Sequence, residues 1–189
     1  MNAYINAIKN QLKDWRLAII VPVFTVARVI YGWAWLKSGW GKLSWLSDGM
    51  LNSAGKVEAV VNNLAGSEVT RFDPLYINKG FAYIADNIFL NMPAVTDFLV
   101  VVFEIGIGLS MILGFGIFWS ALVAMFMNTQ FMAGGSFNNF GYIWTNVGMM
   151  TFAKHAELIG LSGYLRYRKS NTDELPLLGL KPIISQTSK

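Results

Sequence analysis

Four stretches of this chain, residues 17–36, 97–114, 116–133 and 141–161, are almost continuously apolar. Each approaches the roughly 20 residues that an α-helix needs to cross a hydrocarbon core about 30 Å thick. In lipid no water serves the backbone N–H and C=O groups, so segments of this kind must be helical throughout. The chain is therefore predicted to be all-α, an integral membrane four-helix bundle. Its composition agrees: 54% of the 189 residues are hydrophobic and 14% charged, unlike a soluble globule. Cysteine is absent, which removes disulfides, thiolate chemistry, iron–sulfur ligation and cysteine zinc sites, and a single histidine argues against a histidine-built metal or haem site. No metal is predicted. The net charge of +4 sits mostly in the tails, without the basic cluster that phosphate contacts require, so no nucleic-acid partner is expected. The first apolar run is too long for a signal-peptide core and lacks a small-residue cleavage site, so it is expected to stay as a helix.

Four crossings place both termini on one side. Lys9, Lys13 and Arg16 precede the first, and Arg166, Arg168, Lys169, Lys181 and Lys189 follow the last, while the turns around 114–116 and 133–141 carry no charge. The positive-inside rule then makes both termini cytoplasmic in a multi-pass protein of the plasma membrane. The long segment 37–96 holds five Lys/Arg and five Asp/Glu and can lie outside. Within it Val57, Val60, Val61 and Leu64, and then Phe81, Ile84, Ala85, Ile88 and Phe89, follow helical spacing, which predicts two short amphipathic helices lying against the outer ends of the spans. They are joined through Phe72-Asp73-Pro74 and closed by Met92-Pro93. The domain division is thus a membrane unit over 1–165 with an outer insertion at 37–96, and a polar, mobile tail over 166–189. Gly106, Gly108 and Ser110 are expected to serve close helix packing, with Gly114 and Gly116 at a turn.

The stretch 31–45, YGWAWLKSGWGKLSW, gathers four of the seven tryptophans with Lys37 and Lys42. An aromatic belt at the outer interface, with lysines reaching outward, explains much of it. Ser38, Gly39 and Gly41 add positions where backbone can approach something closely. Charged residues inside the spans are more informative, because an isolated charge there is costly and pairing is the expected remedy. Counted from the outer ends, Arg28 and Glu104 fall at nearly the same depth, and an Arg28–Glu104 ion pair is predicted. Asn128, Gln130, Asn138, Asn139, Thr145 and Asn146 collect toward the same level. Together they suggest a polar pocket open to the outside with Lys37 and Lys42 at its mouth. The plainer reading is that the amides are interhelical glue and the ion pair a packing device. Lys154, His155 and Glu157 form a second group on the inner half of the last span, with His155 as a possible proton relay or a structural residue.

The run RVIYGWAWLKSGWGKL (28–43), the motif FEIGIGLSMILG (103–114) and MNTQFMAGGSFNN (127–139) resemble the DoxX-like membrane family, and within it the branch containing DoxD, the larger subunit of thiosulfate:quinone oxidoreductase. The likeness extends to about Leu165. It departs where the family's Gly-Leu-Asp-Arg is Gly160-Leu161-Ser162-Gly163 here, so the inner-end acid and base of that pattern are missing, and where Asn138-Asn139 replaces an Asn-Pro. The resemblance implies oxidation of thiosulfate to tetrathionate, with electrons passed to membrane quinone as acceptor, in a hetero-oligomer with a small DoxA-like subunit. On that basis Arg28 and Glu104 are the expected catalytic pair, Lys37, Lys42, Asn128, Gln130 and Asn146 the substrate-binding set, and Trp33 and Trp35 the residues flanking the quinone. The alternative is a non-catalytic membrane anchor or assembly subunit of a redox complex.

Overall fold

The computed structural model describes residues 2–66 and 73–169. Among them all regular structure is helical. In chain order the helices are α1 (Asn2–Gln11), α2 (Trp15–Trp40), α3 (Ala54–Ala65), α4 (Ile77–Ile84), α5 (Pro93–Leu113), α6 (Ile117–Ala133), α7 (Phe140–Thr151), α8 (Ala153–Ala156) and α9 (Leu161–Lys169). Short 3-10 turns occupy Leu43–Leu46 and Phe137–Asn139, and a π-helical turn, Ala85–Phe89, continues α4.

Helices α2 and α5 pack antiparallel, at glycines. A Cβ on Gly108 would lie 2.6 Å from the backbone nitrogen of Leu36, and one on Gly32 would lie 2.7 Å from the Met111 Cβ, so only glycine permits this approach. Gly39 likewise lies against Glu104 and Ile105, whereas Gly106 and Gly41 meet nothing as tight. Gly114 and Gly116 both hold positive φ and turn the chain from α5 into α6. That pair of glycines realises the predicted turn, since the left-handed region strains any residue with a Cβ. The core between α2, α5, α6 and α7 is apolar, built on Ile107, Met111, Ile117, Ala121, Ala124 and Met149.

Two helices, α2 and α5, are long and apolar enough to cross a membrane, and α6 is a shorter apolar helix. Their outward faces are apolar as well. Ile19, Val23, Val26, Ile30 and Trp33 form an exposed stripe along α2, and Val95, Phe98, Val102, Leu109 and Leu113 form one along α5. Apolar residues that face outward at helical spacing on packed helices mark a surface made for lipid. The predicted last apolar run is interrupted, because α7 ends at Thr151 and Phe152, at φ −105° and ψ 20°, separates it from α8.

Helices α3 and α4 form a cap at the end of the bundle away from the termini. The predicted stripe on α3 is only partly buried, through Val60. On α4 the buried side passes through Ala82 and Ala85, and Ile84 and Ile88 face out. The π turn accounts for the shift: Leu90 N–H reaches back five residues to Ala85 O, so each residue turns the helix by less than an α-helix would. Pro93, expected to close the outer helix, also opens α5 four residues before the predicted span, where a missing N–H costs nothing.

What ties the cap down is Asp97, 1% exposed in the first turns of α5. Its carboxylate accepts from Asn52 N–H at 2.7 Å, Ser53 N–H at 3.2 Å, the Ser53 hydroxyl at 2.6 Å and the Asn52 side-chain amide at 3.2 Å. Lys56 adds bonds to Gly134 O and the Ser136 hydroxyl, and Asn63 one to Ala133 O. Hydrogen bonds to a charged group each contribute about 1.5–3 kcal/mol. Replacing Asp97 with alanine is therefore expected to release the cap at a cost of about 3 kcal/mol. Amide hydrogen exchange over α3 should rise about a hundredfold while that of α2 is unchanged.

The tail-bearing end is closed by α1 and α9. Tyr4 stacks edge-on to Tyr164 at 5.5 Å and donates its hydroxyl to Leu158 O at 2.6 Å. Burial raises the Tyr4 pKa above its ordinary value and keeps that hydroxyl a donor. Helix α9 runs to Lys169, across the boundary expected at 165/166. The remainder of the tail, and Phe72 of the predicted turn, lie outside the described residues.

Candidate functional site

The predicted Arg28–Glu104 ion pair does not form. Arg28 is 3% exposed, yet its partners are all backbone carbonyls: Nε donates to Ala156 O at 2.9 Å, Nη1 to Met111 O and to Ile112 O at 2.7 Å, and Nη2 to Ile159 O at 2.5 Å. Met111 and Ile112 are in the last turn of α5, and Ala156 ends α8, so the guanidinium satisfies orphan carbonyls at two helix C-termini, where a positive charge also opposes the dipole.

Two physical causes separate the pair. The first is register. Gly39, not Arg28, stands level with Glu104, and eleven residues of helix between them amount to about 16 Å. Counting depth from the ends of the apolar runs misses this, because the first turns of α5 rise beyond the end of α2 into the cap, where Asp97 holds them. The second is direction. Helical side chains lean toward their own N-terminus, and α2 and α5 are antiparallel, so Arg28 reaches toward the termini and Glu104 toward the cap.

Glu104, 1% exposed, is instead claimed by Lys42, which follows the end of α2. Lys42 Nζ sits 2.5 Å from Oε1 and 2.6 Å from Oε2, donates to the Ser38 hydroxyl at 2.8 Å, and lies 5.5 Å from the centre of the Trp45 ring. This is what the lysine, serine and indole of the stretch 31–45 do together. The ammonium is held by a carboxylate, a hydroxyl and an aromatic face, with a quarter of its side chain still exposed. Glu104 and Ser38, the two partners of Lys42, line a cavity of about 150 Å³ with Tyr31, Trp35, Asn128, Asn139 and Tyr142.

A polar relay lies at the base of this chamber. Asn128 Nδ2 donates to Tyr31 Oη at 2.9 Å, and Tyr31 donates onward to Asn146 Oδ1 at 2.9 Å. Asn128 and Asn146 are 1% and 0% exposed, and each keeps one buried atom, Oδ1 and Nδ2 respectively, with no protein partner. Exchanging the amide oxygen and nitrogen in either residue still leaves one such atom on each. Buried polar atoms are nearly always satisfied, so two beside one chamber mark a place built to bind something polar.

The expected residues therefore divide. Glu104, Lys42 and Asn128 meet at the chamber, and Asn146 joins through Tyr31. Arg28, midway along α2, is engaged away from the chamber at the C-terminal end of α5, and Lys37 is exposed on α2 outside the chamber. Gln130 lines a different, apolar cavity of about 120 Å³ beneath the cap. Trp33 and Trp35 cannot flank one ring: at 62% and 6% exposed they stand on opposite faces of α2, two residues and about 200° apart. Tyr31 was missed altogether. Its one signal was a phenol in mid-helix, where a hydroxyl needs partners.

A second polar node closes the opposite end. Glu157 Oε1 accepts the Ile117 N–H at 2.8 Å, capping α6, and Oε2 pairs with Arg166 at 2.9 Å. His155 packs against Phe152 and makes no part of the chamber.

A family model described as DoxX matches residues 23–133. That span takes in α2, the cap, α5 and α6, and so contains Glu104, Lys42, Tyr31 and Asn128. No curated protein and no solved structure matched the chain.

Proposed function

The chain belongs to the DoxX family and is a membrane protein of it; from that premise we propose that it is the membrane subunit of a quinone-linked oxidoreductase with thiosulfate as electron donor. In this reading α2, α5, α6 and the broken α7–α8 pair make four crossings of the plasma membrane, with the basic terminal end in the cytoplasm and the cap outside. A small DoxA-like subunit completes the hetero-oligomer.

The observation that carries the reading is the buried Glu104 carboxylate held by Lys42 at the mouth of a polar chamber. Two thiosulfate dianions that lose two electrons form one new S–S bond and leave as tetrathionate. A quinone that takes those electrons needs two protons to become quinol. Glu104 is the only carboxyl group among the chamber's lining residues, which suits it to hand protons to a ring bound there. Lys42 touches both carboxylate oxygens and the exterior, so it can draw an anion to the mouth and reprotonate Glu104. Because Arg28 is engaged elsewhere, chamber and ion pair are neutral together, which favours an uncharged ring inside and the sulfur anion at the rim.

The test is thiosulfate-driven reduction of a soluble quinone analogue, followed by absorbance, with the chain purified together with its small co-purifying subunit. Turnover that depends on thiosulfate is expected. A folded complex that reduces no quinone ends this reading. The second reading, an anchor or assembly subunit, is favoured by the nodes at Asp97, Arg28 and Glu157, which serve packing. Its signature is a complex that stays active after Glu104→Gln but not after the cap is removed.

A further inference from the structure

The polar chamber and the apolar cavity share a wall. Phe131 lines both, on the face of α6 that passes from Asn128 toward the cap. On one side stand Glu104, held from behind by Lys42, Tyr31 and Asn128, whose Oδ1 has no protein partner. On the other the walls are Val57 and Val60 of α3, Phe89, Leu99 and Val100, with almost no polar surface. Two neighbouring cavities that share the Phe131 side chain, one carrying polar groups and the other apolar, fit a ligand with the same division.

We propose that the two cavities form one site for a quinone whose ring occupies the chamber and whose isoprenoid chain passes Phe131 into the apolar cavity under the cap. This rests on the function proposed above and locates its electron acceptor. The ring's oxygens find what the chamber leaves unmatched. In the quinone a carbonyl accepts from the Asn146–Tyr31–Asn128 relay, whose hydrogen bonds can reorient around the Tyr31 hydroxyl. In the quinol a hydroxyl donates to the Asn128 oxygen, which has no other partner. The chain exchanges water or lipid for the aliphatic and aromatic walls of α3 and α5. Each methylene transferred from water into such walls adds to affinity. The indoles of the stretch 31–45 have no part in holding the ring, except that Trp35 lines the chamber in a T-shaped contact with Tyr31, at 80° between the planes.

The experiment compares two probes by titration calorimetry on the purified, detergent-solubilised complex: a benzoquinone bearing a ten-carbon chain, and the same ring without it. Binding of the chain-bearing probe should be tighter by about tenfold or more. Filling the apolar cavity from the cap with Val57→Phe should bring that ratio toward one, and Leu99→Phe should do the same from α5, so that a folding failure of either variant leaves the other as the test. A wild-type ratio near one, or a ratio unchanged in both variants, overturns the proposal. So does mass spectrometry showing a phospholipid that leaves the complex on Val57→Phe while chain-bearing quinone binds as before, since the cavity would then be a lipid site. If the ratio behaves as expected and thiosulfate drives no reduction, the quinone site stands and the sulfur donor falls.

Discussion

Replacing Arg28 with alanine is expected to unfold the terminal half of the bundle rather than to silence a folded enzyme. The guanidinium bonds to carbonyls of Met111, Ile112, Ala156 and Ile159, which belong to two chain segments that it joins alongside the Glu157–Ile117 and Ser162–Gly114 bonds. Alanine would take the side-chain donor from all four carbonyls; Met111 O keeps the Gly114 N–H, and the other three cost about 1–3 kcal/mol each where water fails to reach them. A net loss of about 4 kcal/mol, or roughly 10 °C in Tm, follows for a chain of this size. Lysine should recover little, because its donors radiate from one nitrogen and cannot match a planar fork spread over three carbonyl directions. The check is thermal unfolding of the detergent-solubilised protein, with quinone binding measured below the transition. Alanine at 28 should lower Tm and leave the affinity of the remaining folded fraction close to that of the wild type. A stable variant with abolished binding would return Arg28 to the site.

Glu104→Gln should do the opposite. Glutamine keeps the shape and a hydrogen bond to Lys42, whose side chain can turn its charge to water from the chamber mouth, so the fold should survive. Thiosulfate-dependent quinone reduction should fall by about a hundredfold or more, as removal of a positioned proton donor does. Lys42→Met is not the mirror of this change. It leaves a carboxylate 1% exposed with no counter-charge, and breaking a buried pair from that side costs about 3–5 kcal/mol. The two single variants thus separate chemistry from stability: the first is inactive and stable, the second unstable. Equal destabilisation by both would mean that Lys42 is as confined as Glu104.

Much of the architecture was legible because lipid imposes simple rules. Long apolar runs had to be helices, Met92-Pro93 had to stop the outer one, and the paired glycines 114 and 116 had to turn. The polar site was legible only as a list of residues. Which of them meet depends on how far α5 slides past α2, which the close contacts at Gly32, Gly39 and Gly108 fix, and on Asp97 gripping Asn52 and Ser53, a contact between segments 45 residues apart with no periodic signature. The same slide moved Glu104 from Arg28 to Lys42. Trp33 and Trp35 show a different limit: adjacency in sequence suggested a shared ligand, although residues two apart on a helix face nearly opposite ways. Gln130 and Asn128 repeat it on α6, one facing the apolar cavity and the other the chamber. Phe152 and the π turn after α4 could not be read, since no proline or glycine marks either break.

The most direct measurement on the Lys42–Glu104 pairing is a double-mutant cycle. Tm and denaturation free energy would be compared for Lys42→Met, Glu104→Gln and the two combined. Contact between the charges predicts that the double variant is more stable than the sum of the single losses implies, by about 2 kcal/mol or more, because removing both leaves no buried charge unmatched. Losses that simply add, within about 0.5 kcal/mol, would show that Glu104 and Lys42 do not meet.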